Sequence, residues 1–318
     1  MAYKDTDFMY ASARVSVFET KLLTKEKYMQ LIDAAAEADA VALLADAVTP
    51  VYTDGAFDIE ATLEGLLDTA FSEVAKSIPS PKLFDFMRYE YDANNLKAAI
   101  KAKVGGISAD GMLFACGTAA PEAAVAAVES GEYKAFPKHM AAAAPKALAA
   151  YAAAHDPQAI DLVIDRAAFA DMLDAAAADE SLAAAVRLRI DAINVQTAVR
   201  MLNAGKPAGL SAMLLEGGNL PVGTFKAADR AALAEALGEK NAKAAVLLAD
   251  PDASLAAIGR AAETLLGAGT GAQFVPFGLA KIYAYLSAVQ REAKNLRVIF
   301  ALRAAHADRD TILQNIRV

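Results

Sequence analysis

Asp92-Ala93-Asn94-Asn95-Leu96, Asp191-Ala192-Ile193-Asn194-Val195 and Glu292-Ala293-Lys294-Asn295-Leu296 are three readings of one pattern: an acid, an alanine, a free position, an asparagine and an aliphatic residue. The asparagines stand 99 and 101 residues apart. Lys97, Gln196 and Arg297 take the second position after the asparagine, and Ile100, Val199 and Phe300 take the fifth. An acid and an asparagine three positions apart share one face of a helix. A chain that repeats one such unit is expected to be architecture, each copy a small helical domain, rather than a single active site.

The likeness between copies extends beyond the motif. A glycine break follows at Gly105-Gly106 and at Gly205, where a helix can end in the left-handed conformation. Met112-Leu113 then precedes Gly117, and Met213-Leu214 precedes Gly218. The third copy has Ile312-Leu313 at the same place, and the array is expected to end with it at Val318. Helix starts read from capping residues: Thr24 before Tyr28, Leu31 and Ile32; Asp165 before Phe169, Met172 and Leu173; Asp229 before Leu233, Ala236 and Leu237. The apolar residues behind each cap share a helical face. Ile78-Pro79-Ser80-Pro81, Gly217 to Pro221 and Gly267 to Pro276 read as connections, and the alanine-rich stretch from Met140 to His155 reads as a helix interrupted near Pro145. The expected organisation is three helical units, 1–120, 121–220 and 221–318.

Composition points the same way. Hydrophobic residues make up 56% of the 318, much of this alanine, with aromatics at 7% and no tryptophan. Alanine is the residue most easily placed in a helix, and the strand-favouring β-branched and aromatic types are thin, so the chain reads as all-α. The net charge of −8 and the lack of a long Lys/Arg block argue against nucleic acid. Cys116 is the only cysteine, so no internal disulfide is possible and a reducing compartment is expected. Met1 to Phe8 carries Lys4, Asp5 and Asp7 and does not read as a signal peptide. The charge-free stretch from Thr264 to Ala280 holds four glycines and a proline and reads as too broken to span a bilayer.

The residues that could carry chemistry do not converge. Asp92, Asn95, Asp191, Asn194, Glu292 and Asn295 would be ligands at three equivalent sites, or groups that hydrogen-bond neighbouring helices and fix the packing between units. No histidine or second carboxylate joins them at ligand spacing, so the structural role is expected, with no catalytic, cofactor or metal residue. Gly267-Ala268-Gly269-Thr270-Gly271 lacks the strand-loop-helix order and the Lys-Ser/Thr end of a phosphate-binding loop, and reads as a helix connection. His139, His155 and His306 form no zinc pattern and read as surface or helix-end residues. Cys116 reads as a buried inert thiol, and Asp179-Glu180 and Asp308/Asp310 as helix-end charges.

Three stretches carry a family resemblance. Tyr10-Ala11-Ser12-Ala13-Arg14-Val15, the helix from Tyr91 to Lys103, and the run from Glu292 to Arg297 continuing to Ile316-Arg317-Val318 resemble, in order and spacing, the C subunit of the V-type (archaeal and bacterial A/V-type) ATP synthase, the relative of the d subunit in vacuolar ATPases. The likeness covers the full length. It implies three similar helical units around a pseudo-threefold axis, forming a funnel. It implies a non-catalytic rotor part between the membrane proteolipid ring and the central shaft, which is made of the D and F subunits. It implies no cofactor, a cytoplasmic position at the membrane face and no span of its own. Two rival readings remain: an all-α enzyme that uses Asp92, Asp191 and Glu292 as acid/base groups, and a general helical scaffold that binds peptides in grooves.

Overall fold

The computed structural model describes residues 3–238 and 277–317, together with Leu248, Asp250, Ala253, residues 257–259 and Ala262. Among them the regular structure is helical apart from one short hairpin. The α-helices are α1 (Met9–Glu19), α2 (Lys25–Asp33), α3 (Glu37–Leu44), α4 (Ile59–Ala75), α5 (Tyr89–Gly105), α6 (Pro121–Ser130), α7 (Lys138–Ala154), α8 (Pro157–Ala176), α9 (Glu180–Asn203), α10 (Leu210–Met213), α11 (Arg230–Gly238), α12 (Leu279–Ala304) and α13 (Arg309–Asn315). The strands β1 (Val51–Thr53) and β2 (Ala56–Asp58) pair antiparallel around Asp54-Gly55. Both turn residues have positive φ, 53° and 82°, as a tight two-residue hairpin requires. The stretch Gly267 to Pro276 lies outside the described residues.

The chain divides into two compact units. One holds Tyr3–Pro81 with Gly269–Val318, the other Lys82–Ala268. The boundary after Pro81 falls in the proline-rich connection Ile78 to Pro81. In the first unit α12 packs on α4 and α1, around Leu286, Val289, Leu296 and Ile299. In the second, α8 packs on α7 and α5, and a further core gathers Val195, Val199, Leu214, Phe225, Leu233 and Ile258. Alanines at the contacts, Ala143, Ala144 and Ala147 on α7 among them, are buried and allow close helix approach.

Local chemistry explains the helix starts, with one correction. Thr24 caps α2 by accepting the amide of Lys27 at 3.3 Å, and Asp229 does so for α11 through Ala232 at 2.8 Å. Asp165 is not a cap. It lies inside α8, where its carboxylate pairs with Lys97 at 2.6 Å, and α8 is capped by Asp156, which accepts the amide of Gln158 at 2.9 Å. Asp156 precedes Pro157 at the first helical position, a stronger start signal than an acid in mid-helix. Pro145 does not interrupt α7 either. The helix runs through it, with Pro145 exposed so that the carbonyl left without a partner can turn to water, while buried alanines on the other face hold the helix to α8. At its start α7 follows Pro137, which has no capping side chain. Asp171 of α8 supplies the acceptor instead, taking the amides of His139 and Met140 at 2.8 Å each. Burial raises the Asp171 carboxyl above its ordinary range, against the pull of these two N–H groups.

Candidate functional site

Each of the three long helices that carry the motif sets its asparagine against a backbone segment. Asn95 donates from Nδ2 to the Phe114 carbonyl and accepts the Phe114 amide at Oδ1, both at 2.8 Å. Asn194 does the same with Leu215, again at 2.8 Å twice. Asn295 does so with Arg317, at 3.0 Å and 2.8 Å. The carboxamide thus acts as one rung of a strand ladder, satisfying a donor and an acceptor of the same residue. All three asparagines are 3% exposed or less, so an unpaired backbone group beside them would be penalised. The partners are loops that follow the motif helix, not the neighbouring helices expected from the spacing.

The acids act one turn earlier and on the segment that leads into the next helix. Asp92 accepts the amides of Thr118 and Ala119 at 2.9 and 3.1 Å and the Thr118 hydroxyl at 2.6 Å, just before α6. Asp191 accepts the amides of Asn219 and Leu220 at 3.0 and 3.2 Å, just before the short 3₁₀ turn Val222–Phe225. Glu292 accepts the amide of Leu23 at 2.7 Å, just before α2, across 269 residues of sequence. In each copy an acid takes the N–H of the residue one before a helix N-cap: Ala119 before Ala120, Leu220 before Pro221, Leu23 before Thr24. Gly117 and Gly218 make room for the aspartates. A Cβ at either would stand 2.4 or 2.0 Å from the carboxylate oxygen.

The residues two positions past the asparagines continue the series. Lys97 pairs with Asp165 on α8 at 2.6 Å. Gln196 lies against Gly259, where a Cβ would meet its Oε1 at 3.2 Å. Arg297 grips Glu60 on α4 through Nε at 2.7 Å and Nη2 at 2.6 Å. The first copy reaches forward to residues preceding the second motif, the second to residues preceding the third, and the third to residues preceding the first. The helix ends repeat too. Gly106, Gly205 and His306, each eleven residues past its asparagine, have φ of 65°, 65° and 56°. Each closes its helix with paired amide bonds, Ile107 to Ala102, Lys206 to Met201 and Ala307 to Leu302 at 2.9–3.0 Å.

Electrostatics set Glu292 apart. Burial pushes its carboxyl up to about 7, opposed by the Leu23 amide and by the charge of Arg291. Tyr28 on α2 and Tyr285 on α12 are raised in turn, Tyr285 to about 12, first by burial and then by the charge of Glu292. The motif acids accept hydrogen bonds from backbone amides and, at Asp92, from the Thr118 hydroxyl. Among the described residues no group of three or more His, Cys, Asp or Glu is placed to hold a metal ion. His155 and His306 are left-handed helix-end residues, and His139 starts α7, its Nε2 2.8 Å from Asp174. Cys116 is buried and its carbonyl accepts Arg88 Nε at 2.8 Å. Asp179 and Asp308 cap α9 and α13. The spacing alone gave no sign of Leu23 as partner to Glu292, though the Leu-Leu-Thr before α2 matches the place of Thr118-Ala119-Ala120.

One surface stands out from the rest. α1 exposes Met9, Tyr10 and Val17, at 58%, 67% and 60%, with Ala13, Ser16 and Thr20 beside them and the Arg14 guanidinium at the border, 5.9 Å from the Tyr10 ring centroid. Among the described residues no helix is long and apolar enough to cross a membrane.

Comparison with known proteins places these features in context. The ATP synthase (C/AC39) subunit family matches residues 11–315, nearly the whole chain and all three motifs. The C subunit of the A-type ATP synthase of Thermococcus kodakarensis is 26% identical over 248 residues, 69% of this chain and 64% of that one. The corresponding C subunit of Thermococcus gammatolerans is 26% identical over 125 residues, 37% of this chain and 34% of that one. The matched regions therefore span less than two thirds of the length of these relatives.

Proposed function

Because this chain belongs to the ATP synthase (C/AC39) subunit family, we propose that it is the central-stalk rotor part of a V/A-type ATPase or ATP synthase, coupling the membrane proteolipid ring to the D and F subunits of the shaft. It makes and breaks no bonds in this role, and catalysis belongs to other subunits. It works at the cytoplasmic face of the membrane. The observation that carries the reading is the family match across residues 11–315, over which the three motifs recur.

The geometry supports a mechanical part. A coupling must carry torque without unwinding, and closely packed helices deform little. The six motif side chains, Asp92, Asn95, Asp191, Asn194, Glu292 and Asn295, place their hydrogen bonds on loops beside the motif helices, almost all on backbone groups, which supports a structural role. The connectivity, in which the third copy reaches the residues preceding the first motif, supports three units near 1–120, 121–220 and 221–318 arranged around a pseudo-threefold axis. Such an arrangement leaves a socket for the end of a helical shaft. The exposed Met9, Tyr10 and Val17 of α1 support burial against a protein partner, since exposed large apolar side chains gathered on one helix face mark contact sites.

The experiment is affinity purification of the full chain, tagged, from its own membranes in mild detergent. Recovery of the ring and the shaft proteins in fixed proportion, with one copy of this chain per complex, is the expected result. Recovery of neither overturns the reading. Turnover of a small substrate that is lost on substitution of Asp92, Asp191 or Glu292 would establish the enzymatic alternative.

A further inference from the structure

We infer that the contact between Glu292 and the segment Leu22-Leu23-Thr24 is a proton-operated latch, seated when the carboxyl is neutral and loosened when it ionises. The inference goes beyond the rotor reading and does not depend on it. It starts from the inequality of the three equivalent joints. Asp92 takes two amides and a hydroxyl, and Asp191 takes two amides. Glu292, 4% exposed, takes the single amide of Leu23 among the described residues. A buried carboxylate needs several donors to hold its charge, whereas a neutral acid needs only to offer its carbonyl oxygen to one N–H. The first two joints are built for a charge and the third for a neutral group.

The surroundings do not supply the missing compensation. On its own helix Glu292 has Arg291, whose attraction is the smallest of the influences on it, Tyr285, and Lys281, which is committed to Glu19 of α1. From α2 comes Tyr28, a neutral phenol held above its ordinary range first by burial and then by the charge of Glu292. Glu73 of α4, which acts on Tyr285, is already paired with Arg14 and Lys76. Burial dominates, and it places the ionisation of Glu292 at about 7, within the range cells experience. Freed by movement of Leu22 to Thr24 away from α12, the carboxyl returns towards its ordinary 4.5. The open form therefore ionises first. Opening becomes easier as pH rises from about 4.5 to about 7 and levels off above that, roughly tenfold per pH unit across the window.

The test is hydrogen exchange at the Leu23 amide of the full chain from pH 5 to 8.5, corrected for intrinsic exchange, with the Leu220 amide at the Asp191 joint read in the same samples. Protection of Leu23 is expected to fall by tens-fold between pH 5 and 7 and then to flatten, with Leu220 falling far less. Glu292→Gln keeps the carbonyl acceptor without the charge, and its Leu23 protection is expected to be independent of pH. A flat Leu23 profile in the unaltered chain overturns the inference, whether or not the variant folds. So does a profile in Glu292→Gln that tracks the unaltered chain.

Discussion

Gly218 lies so close to Asp191 that a Cβ on it would stand 2.0 Å from the carboxylate Oδ1, and Gly117 stands in the same relation to Asp92 at 2.4 Å. The contact explains why glycine follows the motif helix at the same place in two copies. The acid must approach the backbone to collect its amides, and only a residue without a side chain lets it. Gly218→Ala is expected to destabilise the chain by about 2 kcal/mol or more, because either the carboxylate or the loop must move and a buried acceptor loses its donors. Gly223, with nothing within 4 Å and no left-handed backbone, is the internal control: Gly223→Ala is expected to change stability by under about 0.5 kcal/mol. Urea unfolding of both variants, and of Gly218→Ala combined with Asp191→Ala, decides the matter. If the glycine serves the aspartate, its substitution is less harmful once the aspartate is gone.

Asn194 should be costly to replace. Its carboxamide pairs with both the amide and the carbonyl of buried Leu215. Asn194→Leu keeps the volume and removes both bonds, an expected loss of about 2–4 kcal/mol in urea unfolding. Asn194→Asp keeps the acceptor for the amide but brings an ionised oxygen against the Leu215 carbonyl. Its deficit is expected to be smaller at pH 4 than at pH 8. A neutral outcome for Asn194→Leu would remove the asparagine from its structural role.

The acid-and-asparagine pattern was readable because helical spacing puts the two residues on one face and the copies kept it. The glycines at 106 and 205 were readable because left-handed helix ends favour them. Two misreadings have local causes. Asp165 stands four, seven and eight residues before apolar positions, as a cap would, but the same offsets occur at any turn of a long amphipathic helix, and Asp156 with Pro157 was the distinctive start. Pro145 does forfeit a hydrogen bond, but burial of the opposite alanine face outweighs it. The hairpin around Asp54-Gly55 is missed by the all-α reading, although that dipeptide between Val51-Tyr52-Thr53 and Ala56-Phe57-Asp58 is a hairpin signal. The pairing of Glu292 with Leu23 had no sequence signal of its own, because a hydrogen bond to backbone leaves the identity of the donor residue free.

Acidity gives a global test of the third joint. The Glu292 carboxyl ionises near 7 in the folded chain against an ordinary 4.5, so the folded form holds its proton more tightly than the unfolded form. The stability associated with it is complete below about pH 4.5 and is lost as pH rises to about 7, by roughly 3 kcal/mol. Glu292→Gln removes this loss. Relative to the unaltered chain it is expected to gain stability steadily from pH 5 to pH 7 and to keep the gain at pH 8, measured by urea unfolding at each pH. A variant whose difference from the parent does not change with pH would place the ionisation of Glu292 elsewhere.

Tyr133, in the connection between α6 and α7, has a buried hydroxyl with no hydrogen-bond partner among the described residues. Burial also raises its ionisation above the ordinary tyrosine value. An unpaired hydroxyl withdrawn from water is a penalty, so Tyr133→Phe is expected to be neutral or stabilising by up to about 1 kcal/mol in thermal unfolding, against the usual loss on altering a core residue.

His306 closes α12 in the left-handed conformation that its counterparts Gly106 and Gly205 occupy without penalty. A side chain at φ 56° brings its Cβ against the following carbonyl, a strain of about 1 kcal/mol that glycine escapes. His306→Gly is therefore expected to raise stability by about 0.5–1 kcal/mol, and Gly205→Ala to lower it by a similar amount, in parallel urea titrations. The two substitutions act on the same closing amide bonds, Ala307 to Leu302 and Lys206 to Met201, at equivalent positions of two copies. Opposite signs of similar size would show that the helix ends are energetic equivalents as well as geometric ones. A loss on His306→Gly would mean that the imidazole contributes a stabilising interaction of its own at the helix C-terminus, larger than the strain it imposes.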